Sequence, residues 1–86
     1  MIVGVNTHHN QGGTDFHIQI EDLSETAELD ARVYISGRIV FSRRASYRDA
    51  ILGLDHPQRI EAAVQEELQR LLALLKAAID RGKISA

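Results

Sequence analysis

Apolar residues stand at every second position in three runs between Phe16 and Phe41, then at every third or fourth position from Ile60 to Ile79. A period of two marks strands with one buried face, and a period near 3.6 marks a helix with one buried stripe. A single switch between the two specifies an α+β fold: an antiparallel β-meander of three to four strands, a short helical turn, and one long C-terminal amphipathic helix packed on one face.

Phe16, Ile18 and Ile20 alternate with His17, Gln19 and Glu21, which predicts a strand over 14–21. A weaker alternation at Val3, Val5 and Thr7 predicts a preceding strand over 2–9. Asn10-Gln11-Gly12-Gly13 connects them, with glycines free to take positive φ. A four-residue connection sets Thr7 opposite Phe16, Val5 opposite Ile18 and Val3 opposite Ile20, so that the apolar residues share a face. Leu29, Ala31, Val33 and Ile35 mark a strand over 28–35, and Ile39 and Phe41 another over 38–44. A two-residue loop at Ser36-Gly37 would mix the faces by pairing Val33 with Val40. A G1 bulge at Gly37 instead pairs Val33 with Ile39 and Ala31 with Phe41.

Ser46-Tyr47-Arg48-Asp49 is a variant of the capping box and opens a short helix over 47–52, closed by Gly53. Asp55 is the expected N-cap of the long helix, over 56–81, with Pro57 in its first turn and Gly82 as the C′ stop. Glu66 with Arg70, and Lys76 with Asp80, have the i,i+4 spacing of surface ion pairs.

At 86 residues the chain is read as one domain. A chain this short buries a thin core, which small domains supplement with disulfides, metals or partner subunits. With 0 cysteines, disulfides and thiolate metal sites are excluded. No run approaches the ~20 apolar residues that span a bilayer, and the start lacks a signal-peptide pattern; a cytoplasmic protein without a membrane partner is the simplest expectation. The excess apolar surface is on the helix, where Leu71, Leu72, Leu74, Leu75, Ala78 and Ile79 spread over more than the ~100° stripe one sheet requires. An apolar patch of that kind marks an interface, and a homodimer is the expected use; the alternative is that Leu72 and Leu74 only cover the sheet margins and the short segment from Tyr47 to Leu52.

Two clusters carry polar chemistry. His8, Asp15 and His17 are the candidate metal ligands: with His8 facing Asp15 and Asn6 facing His17, they point away from the core. The spacing matches no familiar metal motif, and polar residues are expected on a solvated sheet face. Arg32, Arg38, Arg43 and Arg44 form the one basic concentration, with Arg32 and Arg38 beside Tyr34 on the outward face in the manner of a nucleic-acid platform. The formal net charge of -2 weighs against that use. Pairing of these arginines with Asp30 and its neighbours explains them more simply. No residue set has the spacing of a catalytic or cofactor-binding motif, so neither an enzyme nor a cofactor is expected.

The stretch from Thr14 to Leu23, followed by Gly37-Arg38-Ile39-Val40-Phe41-Ser42-Arg43-Arg44 and Ser46-Tyr47-Arg48-Asp49, resembles a small bacterial β-meander-plus-helix domain of unknown function. The resemblance implies a bacterial source and no established activity, and it carries over no functional residues.

Overall fold

In the computed structural model, which describes residues 4–85, the order of elements is β1 (Gly4–Gln11), β2 (Thr14–Leu23), β3 (Glu28–Ile35), β4 (Arg38–Ser46), α1 (Arg48–Ile51) and α2 (Pro57–Asp80). The strands form one antiparallel sheet in sequence order, β1-β2-β3-β4. This is the expected α+β meander with its long C-terminal helix. The positions 2 and 3 assigned to the first strand lie outside the described residues.

The connection between β1 and β2 contains two residues, not four. Gly12 and Gly13 have φ of 58° and 82°, the positive values that a type I′ hairpin turn requires at both central positions. Val5 therefore pairs with Ile20, Thr7 with Ile18 and His9 with Phe16. The register is two residues from the one expected. Side chains alternate with a period of two, so the slip changes every partner and leaves every face unchanged.

Between β3 and β4 the tight turn is Ser36-Gly37, again with both residues at positive φ. The irregularity lies further along: Tyr34 pairs with Ile39 but Val33 with Phe41, which leaves Val40 as the extra residue. The expected bulge exists, displaced from Gly37 to the Ile39–Val40 step. It restores the faces by setting Phe41, Arg43 and Ala45 opposite Val33, Ala31 and Leu29.

α2 begins one residue later than expected. His56 is its N-cap and accepts a hydrogen bond from the Gln58 backbone N–H through Nδ1 at 3.3 Å. An unprotonated imidazole nitrogen thus does what the Asp55 carboxylate was expected to do, and Pro57 takes N1, where a missing N–H is harmless. At the other end Gly82 has φ of 75°, and Lys83 donates to the Ala78 carbonyl at 2.9 Å, closing the helix in the Schellman manner. The chain beyond turns back so that Ile84 is buried.

The core joins one sheet face to one helix stripe. Phe16, Ile18, Ile20, Leu29, Ala31 and Val33 meet Val64, Leu68, Leu71, Leu75 and Ile79, all buried. Tyr47 is also buried, and its hydroxyl donates to Asp22 at 2.6 Å, fixing the end of β4 to β2. Burial, reinforced by the Asp22 carboxylate, pushes the Tyr47 phenol up to about 12. No helix among the described residues is long and apolar enough to cross a membrane.

Candidate interaction surfaces

One helix is ~10 Å across, whereas strands lie ~4.8 Å apart, so a single helix cannot roof four strands. The closest backbone approaches of α2 to the sheet are to β1 and β2. β4 lies beyond its cover: Phe41 and Ala45 are only partly buried, and Arg43 is exposed on the same face. A groove of about 120 Å3 runs between α2 and β4. Leu29, Ala45 and Leu71 line it, Glu67, Arg70 and Leu74 form the α2 wall, and Arg43 stands on the β4 side. Leu74 is 60% exposed. Arg70 is held at 2.8 Å from Glu67 and 3.5 Å from Glu66, while Arg43 has no acidic partner among the described residues.

The groove narrows the expected helix interface. Leu71, Leu75 and Ile79 are buried within the core, and Leu72 and Ala78 pack against it half-buried. Only Leu74 of the six stands free. The broad apolar arc is mostly consumed by the chain's own core.

The opposite sheet face is polar and carries no helix. His8 and His17 are direct cross-strand partners, not diagonal ones. Their rings stack with centroids 4.6 Å apart and planes 5° apart, and Tyr34 leans on His17 at 5.9 Å. Asp15 lies 3.0 Å from Nδ1 of His8, and Asn6 bonds to Nε2 of His17. Both contacts expected between facing residues thus occur between diagonal ones. The metal triad does not assemble. A ring nitrogen's lone pair lies in the ring plane, so stacked parallel imidazoles cannot aim at one ion, and no group of three acidic or histidine ligands occurs among the described residues.

The arginines divide between the two faces. Arg32 and Arg44 are outward, at 3.2 Å and 3.9 Å from the two carboxylate oxygens of the buried Asp30, with Arg44 also 4.0 Å from Glu28. The Tyr34 oxygen, and then Asp30, hold the Arg32 guanidinium even above its usual high pKa. Arg38 and Arg43 oppose Ile35 and Ala31, on the helix side. The four therefore do not share one platform, contrary to the arrangement expected of Arg32 and Arg38. A shallow depression of about 370 Å3 on the open face is lined by Asn6, Gln19, Glu21, Asp30 and Arg32 among others.

One contact had no signal in the sequence. His9 lies on the helix side of β1, and its Nε2 is 2.7 Å from Asp80, 71 residues away. Asp80 is thereby the tie between the end of α2 and β1, in place of the expected pair with Lys76.

No family model matches the chain, and no curated protein or solved structure was found to be similar to it.

Proposed function

We propose that the chain is a non-enzymatic assembly module that self-associates through the groove between α2 and β4. The observation that carries this reading is the mismatch of one helix with four strands, which leaves Leu74, Ala45 and Phe41 on an unroofed strip of the otherwise packed face. The molecule is long and thin: its radius of gyration is 13.7 Å over extents of 44 × 21 × 17 Å, against about 12 Å for a compact chain of this length. A second copy is the occupant the groove fits. Its α2 wall carries the Glu67–Arg70 pair and its β4 wall Arg43, which has no acidic partner among the described residues. A two-fold axis along the groove brings each beside the other's counterpart, in the isologous manner of most homodimers.

Light-scattering chromatography tests this. The native chain is expected at a multiple of 9.6 kDa. Leu74→Glu, which places a charge in the groove without touching the buried stripe, is expected to lower that multiple while the circular dichroism stays native. A native monomer at ~100 μM, a concentration at which weak specific pairs are populated, would contradict the reading.

A second reading, binding of a small polar ligand on the open face, is favoured by the depression in which Arg32 and Asp30 stand beside the Asn6 and Gln19 amides. It requires a fragment library to move the NMR signals of Asn6 and Gln19 while leaving Ala45 and Leu74 unmoved.

A further inference from the structure

We infer that the free edge of β1 is a second docking surface and that its occupant is the β1 strand of another copy. This shares with the proposed function the idea of self-association but rests on a different surface and a different observation: the two edges of the sheet are not equally protected.

Both β1 and β4 have a strand partner on one side only. Open edges are templates for strand addition, and proteins blunt them with bulges, charges and prolines. β4 is blunted twice over, by the bulge at Val40 and by Arg38, Arg43 and Arg44. β1 has neither device. Its pairing with β2 is unbroken from Gly4–Glu21 to Gln11–Thr14, and its sequence GVNTHHNQ contains no Lys, Arg, Asp, Glu or Pro. α2 lies over β1 and is tied to it by His9 and Asp80, so the edge belongs to an ordered part of the molecule.

The strand is compatible with itself in one particular register. Gly4, at φ +146°, departs from extended backbone, and a Cβ there would meet the Ile20 carbonyl oxygen at 2.1 Å. The usable span is therefore residues 5–11. A two-fold axis at His8 pairs this whole span: Val5 with Gln11 of the second copy, Asn6 with Asn10, Thr7 with His9. Residues directly opposite each other share a face, so the exposed amides of Asn6 and Asn10 meet and can each donate and accept. The two α2 helices then lie on the same side of an eight-stranded sheet.

The experiment compares solution masses in the Leu74→Glu background, where the groove is disabled. Leu74→Glu alone is expected to remain a dimer through β1. Adding Asn6→Lys/Asn10→Lys opposes cations across the axis and is expected to weaken the dimer about tenfold or more. Asn6→Lys/Asn10→Glu opposes unlike charges and is expected to restore it, which separates an edge contact from damage to folding. A monomeric Leu74→Glu chain from an associated native protein overturns the β1 inference and leaves the groove standing. A dimer indifferent to Leu74→Glu but split by the lysine pair overturns the groove and keeps β1. A Leu74→Glu dimer indifferent to the lysine pair overturns the inference in this register, and a native monomer overturns both surfaces.

Discussion

The two faces of this sheet are built from the same strands and held by different forces. On the helix side, Ile18, Ala31, Val33 and Leu68 are at 0% exposure and the core contacts are apolar, with the His9–Asp80 and Tyr47–Asp22 bonds beside them. On the open side the links are pairwise and polar: His8 with Asp15, His17 with Asn6, Arg44 and Arg32 with Asp30. The difference teaches where stability resides. Apolar burial contributes in proportion to area removed from water, whereas exposed ion pairs recover little beyond their lost hydration and side-chain entropy. It also identifies the unfinished part of the molecule, the strip along β4 where the apolar face runs on past its helix.

The largest effect should come from the covered face. Leu68→Ala removes a fully buried side chain and is expected to cost about 2–5 kcal/mol in urea unfolding, enough to unfold a large part of the population of a domain this small. A loss under ~1 kcal/mol would mean that the core does not depend on the α2 stripe.

Next comes the part-buried bond between Tyr47 and Asp22. Tyr47→Phe deletes the hydroxyl bonded to Asp22 and is expected to cost about 1–2 kcal/mol. The same phenol gives a pH signature. Its folded pKa, about 12, lies above the unfolded value of 10.0. Its contribution is therefore complete below pH 10.0 and declines as pH rises toward 12, where the unfolded chain gives up the proton first. Stability measured across that window should fall more steeply in the native chain than in Tyr47→Phe; parallel curves would remove Tyr47 as the cause.

The open face should respond least. Arg44→Ala breaks long contacts to Asp30 and Glu28 from an exposed side chain, for an expected loss of about 0–1 kcal/mol that shrinks further in 1 M salt. His8→Ala, at the end of the stacked pair, is expected within ~0.5 kcal/mol of native. A larger loss at His8 than at Tyr47 would reverse the ranking of the two faces.

The sequence disclosed the elements and their faces much better than their partners, for an identifiable reason. Alternation reports which residues are buried and is blind to a slip of two, so Val5 is read on the correct face of β1 but opposite Ile18 when its partner is Ile20. Likewise the apolar pattern of β4 demands one extra residue somewhere after the turn. Gly37 is the natural place for it, yet positive φ at Ser36 as well makes a tight turn there, and the bulge moves to Val40. The breadth of the apolar arc on α2 was legible, but its use was not. Whether Leu72 and Ala78 face solvent depends on how the sheet twists beneath the helix and on Ile84 returning past its end. The His9–Asp80 tie depends on the same packing geometry, which a period in sequence does not encode.

The self-association surface is tested most directly by recording backbone and methyl NMR spectra of the native chain over a dilution series. Concentration-dependent shifts at Phe41, Ala45 and Leu74, with Gln19, Glu21 and Arg32 unmoved, are the expected result and place a second copy on the uncovered strip beside β4. Shifts confined to Gln19, Glu21 and Arg32, or spectra that do not change with concentration, would contradict it.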